Sequence, residues 1–261
     1  MLKLRVIPKL QLDIRQTYKG LEPVLILTKQ FSGKKGIGNP LSQAKIYEAQ
    51  LVDEIVLLNL NRSEEAWPTI LKTLSNMAER LATPLSVGGG VKNYEQVQEL
   101  LDRGADKVII NTASYHNPEL IDRVANNYGS QCVITSIDTR AKKHGVYTAY
   151  VNRGTEDVGR NVVDLGQEMV DRGTGEVLVT SIQNDGMGEG LDCGLIKHLS
   201  SSLNVPIIAS GGCGLAEHFV AGYRAGASAV AAGTFFCRRD QNPMQCRAHI
   251  RNDELPIRLE V

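Results

Sequence analysis

Short apolar runs alternate with longer segments of helical period along this chain. The pattern predicts eight strands, at residues 5–12, 54–60, 85–88, 107–111, 132–138, 176–182, 207–210 and 229–232. It predicts helices between them, at about residues 41–51, 65–82, 93–103, 117–127, 157–173, 192–202 and 214–225. The segment after residue 238 gives only a weak helical signal. Because the strands are apolar on both faces, we expect a parallel sheet covered by helices.

One strand–helix–strand unit occurs twice. Residues 206–236, PIIASGGCGLAEHFVAGYRAGASAVAAGTFF, align without a gap with residues 84–114, PLSVGGGVKNYEQVQELLDRGADKVIINTAS, at a constant offset of 122 (206 − 84). Any two such units of an α/β protein look alike, but an ungapped match over this length favours duplication. Eight units with a twofold internal repeat favour a closed (β/α)₈ TIM barrel over an open sheet, with residues 1–261 as a single domain.

Each copy of the unit carries glycine-rich turns after its strands. Gly211, Gly212 and Gly214 follow one strand, and Gly233 follows the next. Such turns direct bare backbone N–H groups at one point, which suits a phosphate. The repeat therefore predicts two phosphate sites that face each other, one in each half.

Two long segments follow predicted strands. Residues 28–40, TKQFSGKKGIGNP, are glycine-rich and basic, whereas residues 139–157 contain a hairpin-like VYTAYV followed by Asn152-Arg153-Gly154. Long loops at this end of a barrel are typically lids or walls of a substrate site.

Composition excludes several classes of protein. Lys+Arg and Asp+Glu both number 29, so no overall charge favours nucleic acid or membrane as a partner. The five cysteines have no metal-ligand spacing and are typical of isolated thiols in a reducing compartment, so we expect neither a metal nor a cofactor. No signal peptide and no membrane-spanning run is evident, so we expect a cytoplasmic protein.

Polar residues that close apolar strands are candidates for chemistry. Asp138 ends the fifth predicted strand, where a carboxylate is costly to bury unless it is paired or used. The pattern fits equally an acid–base group and a structural carboxylate that binds backbone amides. Asp185 and Gly186, with Gly188 nearby, fit equally an anion-binding turn and a plain tight turn.

Six motifs together carry a resemblance to a known family. They are RVIPKLQL, SVGGGV, ADKVIINTA, GSQCVITSID, GEVLVTSIQNDGMGEG and IASGGCG. In order, from about residue 4 to residue 236, the chain resembles the cyclase subunit of imidazole glycerol phosphate synthase, the HisF family. The resemblance implies a barrel that binds a glutaminase subunit, receives ammonia at its bottom and conducts it to a ribotide substrate with a phosphate at each end.

The resemblance also assigns residues to these roles. It implies one phosphate site at Gly90, Asn111 and Thr112, and a second at Asp185, Gly186, Gly212, Gly233 and Thr234. It implies a ring of charges at the ammonia entrance, formed by Arg5, Glu54, Lys107 and Glu176. Asp106 lies beside Lys107 on the same rim, and we expect it to take part in docking the glutaminase. Without the resemblance, charges that open strands would be interpreted as solvent-exposed.

The chain departs from the family at the catalytic positions. The family's two catalytic aspartates close the first and fifth strands; here these positions hold Gln11 and Asp138. Glutamine cannot exchange a proton near neutral pH, and such a loss typically costs about 10²–10⁴-fold in rate. Lys9 stands where the family usually has a cysteine. Asp13 is expected on the same side as Gln11, about 6–7 Å further along, as a substitute.

Two other matched positions complete the comparison with the family. Lys19 of the YKG motif is kept and joins the predicted catalytic set, whereas Asn59 replaces another family aspartate.

Three hypotheses follow from this combination. The first is a HisF-like paralogue that passes ammonia towards a separate sugar amidotransferase, for an acetamidino group on a surface-polysaccharide sugar. The second is a genuine cyclase with a rearranged site. The third is an idle scaffold that only activates the glutaminase, which would need neither the phosphate turns nor the charged ring.

Overall fold

The computed structural model describes residues 3–61, 63–142, 145–238 and 241–257. Its strands are β1 (Arg5–Thr17), β2 (Gly20–Lys29), β3 (Ser32–Gly38), β4 (Ile55–Asn59), β5 (Leu85–Gly88), β6 (Lys107–Ile110), β7 (Val133–Ala141), β8 (Tyr147–Val151), β9 (Glu156–Asn161), β10 (Glu176–Ser181), β11 (Ile207–Ser210) and β12 (Ala229–Ala232). Its helices are α1 (Pro40–Ala49), α2 (Trp67–Ala78), α3 (Tyr94–Asp102), α4 (Thr112–His116), α5 (Glu119–Tyr128), α6 (Val162–Asp171), α7 (Cys193–Ser202), α8 (Ala216–Arg224), α9 (Thr234–Arg238) and α10 (Pro243–Asn252).

Within the described residues, eight parallel strands close into a barrel. Their order is β1-β4-β5-β6-β7-β10-β11-β12, and β12 pairs with β1 again. The strands are short and apolar, and helices pack outside them, as the alternating pattern predicts. The predicted (β/α)₈ TIM barrel is therefore confirmed.

The twofold repeat extends to the boundaries of the elements. The pairs β5/β11, α3/α8, β6/β12 and α4/α9 each begin and end 122 residues apart, for example at Leu85 and Ile207 (207 − 85). Gly89 and Gly211 have the same φ of +90°, and a Cβ on either would lie within 2.6 Å of a carbonyl oxygen, of Asn59 or of Ser181. Since these two contacts are themselves 122 residues apart (181 − 59), the halves reproduce each other's close backbone packing, which only glycine permits.

The barrel interior is layered, because alternate residues of each strand point inward. The strands β1, β6 and β10 open with the charged residues Arg5, Lys107 and Glu176, and Glu54 directly precedes β4. The next inward residues form an apolar layer, made of Ile7, Val56, Ile109, Ile134, Leu178, Ile208, Ala229 and Ala231. Polar residues lie above this layer, at the carboxyl ends of the strands.

Two sequence-based expectations about the connections are wrong, whereas the weakly signalled helix after residue 238 is present. The segment 28–40 is not a loop, because β2 and β3 extend β1 as antiparallel strands. The helix expected at 157–173 begins only at Val162, since β9 pairs with β8 and the Asn161 side chain caps the helix. After residue 238, α10 is a regular helix that begins with a capping box of Asn242 and Gln245.

In the part of the chain that the structure describes, no helix has the length and apolar character needed to cross a membrane.

Candidate functional site

A cavity of about 540 Å³ opens at the carboxyl ends of the barrel strands. Its walls include Lys9, Gln11, Asn59, Asn111 and Asp138. A much smaller cavity, of about 20 Å³, adjoins it and shares Lys9 and Gln11. The end of the barrel that carries active sites in this fold thus holds one large cavity and one narrow recess.

The first predicted phosphate site lies in the wall of the large cavity. Gly90, Asn111 and Thr112 all line it, and Gly90 has a φ of +81°. The Asn152 backbone N–H donates to Thr112 Oγ1 at 3.1 Å, which ties this wall to the β8–β9 turn. The structure therefore brings these three residues together.

The second predicted phosphate site surrounds the small recess. Asp185, Gly186, Gly212, Gly233 and Thr234 all line it. Gly212 has a φ of +116°, and a Cβ there would lie 1.9 Å from the Gly190 carbonyl oxygen. A bulky residue at Gly212 would therefore disturb the fold as well as the recess, because the backbone itself would have to move.

Asp138 lies between these two sites as a buried carboxyl group. Burial raises its pKa to about 7, and nearby Lys9 lowers the pKa less than burial raises it. The charge of Asp185 raises the pKa further, whereas the hydrogen bond from Asn111 Nδ2 to Asp138 Oδ2, at 2.9 Å, opposes that rise. A carboxyl group that titrates near neutral pH can both accept and donate protons, which suits acid–base chemistry.

Lys9 and Gln11 belong to a buried polar network in the cavity floor. Lys9 Nζ donates to Ser210 Oγ at 2.8 Å and lies 3.4 Å from Asp185 Oδ1. Thr28 Oγ1 is within hydrogen-bond distance of both Gln11 Oε1, at 3.2 Å, and Asp185 Oδ2, at 3.3 Å. The network thus joins β1 to β2, β11 and the loop after β10.

Two of the predicted catalytic residues lie apart from this network. Asp13 accepts from Asn61 Nδ2 at 3.1 Å and from Lys34 Nζ at 3.2 Å, and it does not line the large cavity. Lys19 lies exposed in the turn between β1 and β2. Period-two spacing predicted Asp13 on the same side as Gln11, but β1 continues into the β1–β2 hairpin, which places Asp13 and Lys19 away from the cavity floor.

The four charged residues at the opposite end of the barrel form a closed ring of ion pairs. Arg5 contacts Glu54 at 2.7 Å and also binds Glu176, and Lys107 contacts the same two carboxylates at 3.0 and 2.6 Å. Burial opposes ionisation of Glu176, yet its contacts with Arg5 and Lys107 lower its pKa. The ring therefore favours the charged form of Glu176 in the folded protein.

Asp106 on the adjoining rim also has a structural contact. Its carboxylate accepts a hydrogen bond from the Leu85 backbone N–H at 2.8 Å, although the residue is exposed. The side chain thus helps to fix the start of β5.

Sequence reasoning missed several residues of the cavity mouth. Phe31, Trp67 and Arg153 line the large cavity. The turns of the β2–β3 and β8–β9 hairpins meet there, since a Cβ on Gly154 would lie 3.0 Å from the Phe31 ring. The sequence did contain two glycine-containing segments after predicted strands, residues 28–40 and 139–157. These segments predicted a wall of the substrate site but not which residues form it.

Comparisons with known proteins agree with the geometry. The family model described as "Histidine biosynthesis protein" matches residues 5–241. A protein of Prochlorococcus marinus (strain MIT 9313), provisionally named imidazole glycerol phosphate synthase subunit hisF2, is 59% identical over the whole of both chains. The imidazole glycerol phosphate synthase subunit HisF of Gluconacetobacter diazotrophicus is 40% identical over 99% of this chain and 97% of its own, and that of Pyrobaculum aerophilum is 37% identical over 98% of each. The chain therefore belongs to the HisF family of imidazole glycerol phosphate synthase subunits.

Proposed function

We propose that this chain is the synthase-side subunit of a glutamine-dependent enzyme. It receives ammonia from a separate HisH-like glutaminase and uses or relays that ammonia at a site for a ligand with two phosphate groups. The observation that carries the proposal is the ring of Arg5, Glu54, Lys107 and Glu176 at the end of the barrel opposite the cavity. Four partly buried charges are costly to desolvate, so a ring of this kind calls for a functional reason. A role in admitting ammonia at this end of the barrel would supply that reason.

The route from this ring to the cavity is short and apolar. Lys9 lies four residue steps beyond Arg5 on β1, which corresponds to about 13 Å along the strand. The layer between them consists of aliphatic side chains such as Ile7 and Val56. Such a layer resists ions strongly but resists a small neutral molecule far less, so it favours ammonia over ammonium.

A paralogue in acetamidino-sugar modification of surface polysaccharides is the form of this function that we favour. The position that the resemblance assigns to a catalytic aspartate holds Gln11, while Asp138 and both phosphate sites are kept. The chain is also more similar to the hisF2 relative, at 59% identity, than to the HisF relatives, at 40% and 37%. Ammonia would then pass on to a separate sugar amidotransferase.

A glutaminase assay tests the proposal directly. The chain is co-expressed with the glutaminase subunit encoded in the same genome, and glutamine hydrolysis is measured with and without it. We expect a stable heterodimer and a higher rate of hydrolysis in the presence of the chain. A barrel that neither binds the glutaminase nor raises its rate would sink the proposal.

A genuine cyclase is the second candidate, because Asp138 keeps a pKa near neutrality in the cavity. The chain is therefore assayed with ammonium salts and the ribotide. We expect turnover about 10²–10⁴-fold below that of an ordinary HisF, with partial recovery in Gln11→Asp, because a proton-transfer group returns. Wild-type turnover equal to that of an ordinary HisF would favour the cyclase instead.

A further inference from the structure

The cavity floor contains a buried ammonium group with a hydrogen-bond donor to spare. Lys9 is only 6% exposed, and its Nζ contacts Ser210 Oγ and Asp185 Oδ1. An ammonium group has three N–H donors. Among the described residues these two contacts use two of them, so a third remains for a group in the cavities that Lys9 lines.

Gln11 presents further donors beside Lys9. The two residues are two apart on β1 and so share the inward face of the strand. Gln11 Oε1 accepts from Thr28 Oγ1, which leaves the amide nitrogen on the opposite side of the carboxamide. Within the described part of the chain, Gln11 Nε2 donates to no protein group, and Gln11 lines both cavities.

We propose that Lys9 and Gln11 form an oxyanion site, which binds a carboxylate or carbonyl oxygen of the ligand between its two phosphate groups. The inference rests on the proposed function, because the phosphate sites on either side define where the ligand lies. Two donors that line the same two cavities, one of them charged and both on buried residues, favour an oxygen with negative charge over a hydroxyl group. Asp138 completes the site as the group that exchanges protons with the ligand.

The inference also gives a physical reason for glutamine at position 11. A carboxylate there would repel an oxyanion and would form an ion pair with Lys9, whereas a carboxamide keeps donors available. Gln11 would then bind the ligand through its amide N–H donors, which a catalytic aspartate at this position could not supply.

Three phosphorylated five-carbon probes test the site by titration calorimetry. D-Ribonate 5-phosphate carries a carboxylate, D-ribulose 5-phosphate carries a ketone, and D-ribitol 5-phosphate carries only hydroxyl groups. We expect the wild-type chain to bind the ribonate at least about tenfold more tightly than the ribitol, as charge-assisted hydrogen bonds imply. If the ribulose also binds more tightly than the ribitol, the site accepts carbonyl oxygens as well as carboxylates. If only the ribonate binds more tightly than the ribitol, the site is specific for carboxylates.

Two variants assign the preference to these residues. Lys9→Met removes the ammonium group, and Gln11→Glu keeps the size of the side chain while it replaces donors by acceptors. Both should bring the ribonate-to-ribitol affinity ratio close to one, and circular dichroism checks the fold. If Lys9→Met does not fold, Gln11→Glu alone decides.

Equal affinities for the ribonate and ribitol in the wild type, or a ratio that survives in a folded variant, would overturn the oxyanion site. Failure of all three probes to bind would overturn the phosphate sites with it, whereas failure of the glutaminase assay bears on the ammonia route alone.

Discussion

The pKa of Asp138 is set by the burial and the charges of the cavity around it. The residue is 9% exposed, and burial dominates over the attraction of Lys9 in setting a pKa of about 7. A surface aspartate would be ionised at neutral pH and would be a weak proton donor. Here both protonation states are populated near pH 7, so the residue is suited to proton exchange during a reaction.

The same shift makes stability depend on pH. The folded-state pKa of Asp138 lies above the ordinary value of 3.8, so the penalty for burying it grows as pH rises from about 4 to about 7 and is constant above that. Asp138→Asn removes the charge, and we expect it to stabilise the protein by up to about 4 kcal/mol more at pH 8 than at pH 4. Urea unfolding at the two pH values measures the difference.

Asp157 provides a control with the opposite sign. The hydrogen bond from Lys142 lowers the pKa of this exposed carboxylate, so its stabilising contribution is present above pH 4 and is lost on acidification. Asp157→Asn should therefore cost stability at pH 8 and little at low pH. An Asp138→Asn effect that is the same at both pH values would contradict the assignment.

At the scale of elements, the sequence predicts the barrel well and the additions poorly. The bounds of β5, β11 and β12 match the apolar runs from which they were predicted, because these strands are buried on both faces and end at glycine turns. By contrast, every residue of β3 is exposed, so no apolar pattern marks it. β3 pairs with β2 through backbone hydrogen bonds, and such bonds leave no pattern of polar and apolar side chains in the sequence.

The candidate site divides in the same way. The glycine turns that line the two cavities could be predicted because the repeat displays them twice in the sequence. The contact of Thr28 with Gln11 and Asp185 could not, because the β1–β2 hairpin brings residues together that lie 17 and 157 positions apart. The same hairpin explains why Asp13 and Lys19 do not line the cavity, although strand spacing for Asp13 and the family resemblance for Lys19 suggested a place near it.

At the scale of the whole molecule, the two ends of the barrel carry different chemistry. The amino-terminal end closes with the charged ring, and the carboxyl end opens into the cavity. Because Glu54 and Glu176 each bind both Arg5 and Lys107, removal of one member leaves its partners incompletely neutralised. The ring should therefore behave as a unit.

We expect Lys107→Ala and Glu176→Ala to impair the effect of the barrel on its glutaminase. Loss of one charge frees the partners to reorient, and truncation of a partly buried ion pair at a docking face typically weakens association by at least about tenfold. The binding constant and the stimulation of glutamine hydrolysis are measured together. Lys142→Ala breaks an exposed ion pair between the β7–β8 turn and β9, and it serves as the control.

Asp106 needs a more careful comparison. Because its carboxylate accepts the Leu85 N–H, Asp106→Ala removes a structural contact as well as a charge. Asp106→Asn keeps a hydrogen-bond acceptor and removes only the charge. If Asp106 has a docking role, both variants should stimulate the glutaminase less than the wild type does, whereas the melting temperature should fall mainly in the alanine variant. If Asp106→Asn stimulates glutamine hydrolysis as strongly as the wild type does, the charge of Asp106 has no part in docking.

The duplication of the barrel has a consequence for the direction in which a ligand lies. Gln11 pairs with Leu58 and Asp138 pairs with Thr180, and these partners are 122 residues apart (180 − 58), so Gln11 and Asp138 occupy equivalent positions in the two halves. A pseudo-symmetric cavity with an anion site on each side would accept a two-phosphate ligand in either of two head-to-tail arrangements. A carboxamide on one side and a titrating carboxyl group on the other would remove that ambiguity, so the proposed ligand is expected to bind in only one of the two arrangements.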